Sequence, residues 1–104
     1  MTLATIAGKA IHVDSEGFLT SLEDWSEEVA GDLARAIGID LTEAHWKVIH
    51  FARQDFQAQG ETPTLHRITQ VAGVPTKDLF TLFPKKPAKK IAYIAGVPKP
   101  VGCV

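Results

Sequence analysis

One cysteine, one methionine and one tyrosine occur in these 104 residues. A lone thiol excludes any disulfide within the chain, and no apolar run reaches the roughly 20 residues that a membrane-spanning helix needs. No apolar stretch follows a basic leader either, so a reducing, cytoplasmic setting without membrane partners is expected. The strand–turn–helix context of a nucleophile elbow is missing, as is any glycine-rich loop for phosphates. Ser, His and Asp are present without an ordered triad, which leaves hydrolase, dehydrogenase and kinase chemistry unsupported. The histidines, His12, His45, His50 and His66, lack recognisable ligand spacing. His45 and His50 stand five apart, so they do not project to one point from a helix. No metal and no cofactor is expected.

The length suits one domain with a modest core. A net charge of −1 hides an asymmetry: residues 1–61 hold eleven acids against Lys9, Arg35, Lys47 and Arg53, whereas residues 62–104 hold only Asp78 against seven bases. That is about −7 followed by +6. Such a basic half suits nucleic acid, an acidic partner, or plain solvent.

Two short runs rich in Ile, Val, Thr and Ala flank Gly8-Lys9 and predict a hairpin over about residues 3–13, with Gly8 supplying a positive-φ turn. Helical periodicity follows over about 26–37, where Ser26 is the N-cap, Glu27 and Glu28 lie in the first turn and Gly38 stands past the end. A second helix, about 42–59, carries His45, Val48, Ile49, Ala52 and Phe56 on one stripe and stops at Gly60. Thr62-Pro63 reads as N-cap and first residue of a helix over 63–72, with Leu65, Ile68, Val71 and Ala72 inward. Thr76 is the expected cap of a helix over 77–83, which Pro84 ends. A last helix spans 87–95 and stops at Gly96. The predicted class is therefore mainly α with a small N-terminal β-hairpin (α+β): a compact helical domain over 1–96 with a mobile arm over 97–104. Pro98 and Pro100 hold the arm extended, and Gly102 loosens it beside Cys103.

Two segments carry functional readings. "LHRITQVAGVPTKDLFTLFP" places two helices about a turn at Gly73, the spacing of a helix-turn-helix, and resembles the DNA-reading part of TetR-type repressors. Its second helix offers only Lys77, Asp78 and Thr81 as base-reading side chains, with no Arg, Asn or Gln. DNA is thus the weaker partner. A regulator with Cys103 as redox sensor is the alternative function.

The stronger signal is "LFPKKPAKKIAYIAGVPKPVGCV", which combines Leu-Phe-Pro, Pro-Ala-Lys, Ile-Ala-Gly, Pro-Lys-Pro and Gly-Cys at fixed offsets. It resembles the C-terminal signature of the DsrC/TusE family of sulfur-relay proteins. "GKAIHVDSEGFLTSLEDWSEEVA" and "GIDLTEAHWKVIHFARQDF" are similar to that family's hairpin and Leu-Thr-x-x-His-Trp helix. The resemblance implies a helix-turn-helix-like centre and an arm whose penultimate cysteine, here Cys103, takes up sulfur as a persulfide. It also implies a donor complex of the TusBCD or DsrEFH kind, and an acceptor that is a tRNA thiouridylase or a sulfur-oxidation enzyme. DsrC proper has a second arm cysteine where this chain has Ala92, so the resemblance is to the single-cysteine, TusE-like members. Between Leu65 and Lys77 the chain is several residues shorter than the family pattern.

Persulfide exchange needs an accessible thiolate more than a pocket. Lys99 favours ionisation of Cys103, but the Val104 carboxylate lies closer in sequence and opposes it, so no strongly depressed thiol pKa is expected in the free chain. Lys85, Lys86, Lys89 and Lys90 are expected to steer the arm toward acidic partner surfaces, with Lys99 nearest the thiol.

Overall fold

The computed structural model describes residues 2–100. It has the predicted α+β class: one antiparallel hairpin followed by a helical bundle. Strands β1 (Thr2–Ile6) and β2 (Lys9–Val13) pair with Thr2 opposite Val13 and Ile6 opposite Lys9. Both turn residues take positive φ, 52° at Ala7 and 76° at Gly8, the geometry that matches the right-handed twist of paired strands. The turn signal in the sequence is Gly8; Ala7 follows it because Asp32 Oδ2 accepts the Ala7 N–H at 2.7 Å.

Helix α1 (Glu27–Ala36) begins where the Ser26 hydroxyl accepts the Val29 N–H at 3.1 Å. Its buried residues Val29 and Leu33 close a small cluster under the hairpin with Ile6, Ile11, Val13 and Leu19. Helix α2 (Glu43–Gln59) ends at Gly60 in the left-handed region. Helix α5 (Pro87–Ala95) is the central element, packed against both α1 and α2. Its Ile91, Ala92, Ile94 and Ala95 are all essentially inaccessible to solvent and join Val48, Ile49 and Ala52 of α2 in the main core. Tyr93 and Trp25 touch both clusters.

The segment between α2 and α5 departs from the sequence expectation. In place of one helix over 63–72, a single turn α3 (Leu65–Arg67) widens into π-type geometry over Ile68–Ala72. Thr64, not Thr62, is the cap: its hydroxyl accepts the Arg67 N–H at 3.1 Å. The wider turn breaks the 3.6-residue spacing, so Val71, assigned to the inner face, is 56% exposed while Ile68 is buried. Helix α4 (Thr76–Leu82) starts one residue earlier than expected, with Pro75 at the cap position and the Thr76 hydroxyl 3.0 Å from that of Thr69.

One buried carboxylate ties this segment down. Asp55 on α2 receives Arg67 Nε and Nη2, both at 2.7 Å, in a two-pronged pair. The Asp55 hydrogen bond, ahead of other causes, raises the Arg67 pKa above its ordinary value.

Two stability predictions follow from these elements. Gly96 has φ +70° and a Cβ there would sit 2.6 Å from Trp25 Cδ1, whereas Gly38, at φ +76°, has nothing within 4 Å. Urea unfolding of Gly38→Ala is expected to show a loss of about 1–2 kcal/mol from backbone geometry alone. Gly96→Ala loses about 1–3 kcal/mol more from overpacking. Arg67→Gln is expected to lower the unfolding midpoint by stranding the Asp55 charge, and adding Asp55→Asn recovers part of the loss because the neutral pair leaves no buried charge. A double variant less stable than Arg67→Gln would contradict this.

Candidate functional site at the root of the C-terminal arm

The thiol assigned to chemistry by sequence, Cys103, lies outside the described residues. The described chain presents its launching point instead. Helix α5 ends at Gly96 in the left-handed region, and the last carbonyls of a helix need outside donors. Trp25 Nε1 donates to Ile94 O at 2.9 Å. Arg53 Nη1 donates to Ala95 O at 2.9 Å while its Nη2 reaches Leu22 O at 3.1 Å. The same guanidinium lies 4.2 Å from the Trp25 ring centroid, and burial pulls its pKa down from the ordinary arginine value. Cation–π contact and helix capping thus act on one group.

Beyond Gly96 the chain stays on the fold. Val97 is fully buried and donates its N–H to Ala92 O at 3.1 Å. Pro98 O accepts the Thr62 hydroxyl at 2.6 Å, so Thr62 fastens the arm root while Thr64 caps α3. Lys99 Nζ sits 3.1 Å from both carboxylate oxygens of Glu16. Pro100 is buried.

Sequence reasoning named Lys85, Lys86, Lys89 and Lys90, and the fold brings all four to one open groove of about 520 Å³ beside Glu16. Its floor is Phe18, Ile37 and Tyr93, with the Phe18 and Tyr93 rings edge-on at 5.7 Å. Burial raises the Tyr93 pKa. Lys85 and Lys86 take consecutive left-handed conformations, φ 59° and 53°. Lys86 precedes Pro87, which disfavours the right-handed helical region there, so the Pro84–Pro87 corner displays both side chains in solvent. The other two are engaged internally: the Lys90 ammonium donates to Pro84 O, and Lys89 Nζ lies 3.6 Å from Glu16. Glu16 therefore faces two ammonium groups, and the Lys99 hydrogen bond first, with the charges of Lys99 and Lys89, holds its carboxyl below the usual range.

Sequence reasoning missed Glu16, Arg53 and the work of the Leu-Thr-x-x-His-Trp residues. Thr42 N–H donates to His45 Nδ1 at 3.1 Å, and His45 Nε2 lies 2.9 Å from Leu82 O. A carbonyl only accepts and an amide N–H only donates, so the neutral ring with its proton on Nε2 satisfies both. His45 is a buried brace between α2 and the end of α4. Trp46 stacks on His50 at 5.6 Å, and His50 Nε2 meets Glu27 at 3.1 Å. Ala92, the position that carries the second cysteine in DsrC proper, lies inside α5 at the core, within the helix expected over 87–95.

The helix-turn-helix-like corner is present around Gly73, φ +74°. Lys77, Asp78 and Thr81 are exposed on a seven-residue helix, and the Thr81 hydroxyl bonds back to Lys77 O at 3.1 Å. Nothing further supports a DNA-reading role.

Comparison with known proteins agrees with the whole-chain signature. The family model described as DsrC like protein matches residues 5–104. Sulfurtransferase TusE of Sodalis glossinidius is 42% identical over 104 aligned positions, taking in 93% of this chain and 96% of that protein. Those positions exceed the residues this chain supplies, so part of the relative faces gaps here. The NMR structure of Allochromatium vinosum DsrC superposes with a TM-score of 0.86 at 37% identity, over 98% of this chain and 97% of that one. The crystal structure of the oxidised gamma-subunit of the dissimilatory sulfite reductase (DsrC) from Archaeoglobus fulgidus gives 0.77 at 36%, over 99% and 100%. With hairpin, bundle and C-terminal residues all matched, the chain belongs to the DsrC-like family.

Proposed function

We propose that this chain is a sulfur-relay carrier of the TusE kind, with Cys103 as the acceptor of persulfide sulfur. The observation that carries the reading is the match of the family model through residue 104, which takes in the chain's one thiol, together with relatives named sulfurtransferase TusE. The absence of a second cysteine at Ala92 supports a carrier that works by exchange rather than by closing an internal disulfide.

The chemistry requires little of the fold. The Cys103 thiolate attacks the outer sulfur of a donor cysteine persulfide; a bond forms from Sγ to that sulfur as the donor's S–S bond breaks, and the donor departs as a thiolate with the electron pair. An acceptor thiolate repeats the displacement on Cys103, which leaves as a thiolate in turn. Each step moves one sulfur atom with its proton and involves no net oxidation. The donor is a protein complex of the TusBCD or DsrEFH kind. The acceptor is a tRNA thiouridylase or, in a sulfur-oxidising setting, an enzyme of that pathway. Lys85 and Lys86 present positive charge to such partners, with Lys89, Lys90 and Lys99 behind them.

Incubation with a persulfidated sulfurtransferase, followed by intact-mass spectrometry, is expected to add sulfur to the native chain and none to Cys103→Ser. Equal uptake by the serine variant would end the carrier reading. With a protein donor at low ionic strength, Lys85→Gln/Lys86→Gln is expected to slow transfer about three- to tenfold, and the difference should shrink as salt screens the approach. A salt-independent deficit would point away from steering.

A further inference from the structure

We propose that Glu16 is a positioning residue for the arm: its carboxylate ties Lys99 to the fold beside Lys89 and so sets where the residues after Pro100 depart. The placement stands on geometry, and its meaning for sulfur exchange rests on the carrier reading above.

Glu16 belongs to the turn after the hairpin, 83 positions from Lys99. Nothing local brings them together. The turn is built to hold the glutamate in place: Asp14 Oδ1 accepts the backbone N–H groups of Glu16 at 2.9 Å and Phe18 at 3.0 Å, and Gly17, at φ +90°, lets the chain reverse. Phe18 below it is buried in the core. The carboxylate therefore projects from a fixed turn, and both its oxygens are within 3.1 Å of the Lys99 ammonium. Lys89, on α5, approaches the same carboxylate at 3.6 Å. One acid thus serves a cation of the arm and a cation of the core helix.

The arm root has a second fastening of different chemistry, the neutral hydrogen bond from Thr62 to Pro98 O. The two are distinguishable because salt screens an exposed ion pair and leaves a neutral hydrogen bond nearly untouched. Glu16 is the releasable one. Cys103 is three residues past Pro100, a span of at most about 11 Å at full extension. A displacement of the root on release of Lys99 is therefore carried to a probe attached at Cys103.

The lone cysteine permits a direct test on the full chain. A nitroxide attached to Cys103 broadens backbone amides near it in NMR spectra, and the ratio of broadening at Glu16, Phe18 and Lys89 to that at Leu65 and Arg67 reports the side occupied. Glu16→Gln is expected to lower this ratio about two- to fivefold, the range that an exposed ion pair allows. Lys99→Gln should do the same, and the two together should do no more than either, since they remove one interaction. Salt near 1 M, where screening acts within about 3 Å, should reproduce the change in the native chain and leave Glu16→Gln unaltered. An unchanged ratio in Glu16→Gln, or losses that add in the double variant, would overturn the proposal. Sulfur uptake by the unlabelled native chain is scored separately. Its failure counts against the carrier reading alone, and failure of the broadening pattern counts against Glu16 alone.

Discussion

The arrangement depends on how the C-terminal end of α5 is finished. A helix that ends inside a core leaves carbonyls with no partner, and each such group costs free energy unless something donates to it. Here Trp25 and Arg53 supply the donors for Ile94 and Ala95. Those two residues come from the segment before α1 and from α2, so the helix end is joined to both neighbours at once. Trp25 packs directly over Gly96, so the contacts that complete the core also fix where the arm begins.

Much of this was legible in the sequence where the signal is local. Glycines at 38, 60, 73 and 96 mark element ends because glycine takes the left-handed backbone there at little cost, and Ser26 caps α1 as its spacing implied. Local signals fail where the partner is distant in sequence. Thr62 reads as a cap, but its hydroxyl donates to Pro98 O, 36 positions away, and it is Thr64 that caps α3. Arg53 reads as one more polar residue on α2; its partners lie 42 and 31 positions away. The lysines illustrate both cases. Their clustering is visible in "PKKPAKK", yet only the fold shows that Lys89 and Lys90 are already engaged while Lys85 and Lys86 are turned outward.

The interior position of Ala92 sharpens what a single thiol means. A side chain at that site faces the packing between α5 and its neighbours, with no exposed surface. A cysteine there would have to be reached through the core or by local opening of the helix end, which Trp25 and Arg53 hold shut. In this chain the question does not arise. With alanine the helix is simply well packed, and alanine also has the highest helix propensity of any residue. Alanine thus fits the fold at this position, and the carrier proposed above works by exchange with other molecules.

Magnitudes indicate which part of the arm root gives way first when a partner draws on the residues beyond it. Val97 is fully buried, and pulling such a side chain into water costs about 1.5–3 kcal/mol, in addition to its hydrogen bond to Ala92 O. The Thr62 bond to Pro98 is worth about 1 kcal/mol. The Lys99–Glu16 contact is an exposed ion pair, the weakest class of the three and the one that a partner's own charges can replace. Of these three fastenings the Lys99–Glu16 contact is the first to yield and Val97 the last. Freeing Lys99 and Pro100 lengthens the tether by two residues, about 7 Å, at the added cost of exposing the buried proline. Glu16 lines the lysine groove together with Lys89, so an acidic partner of the kind proposed above would meet the groove where the arm's weakest fastening is made.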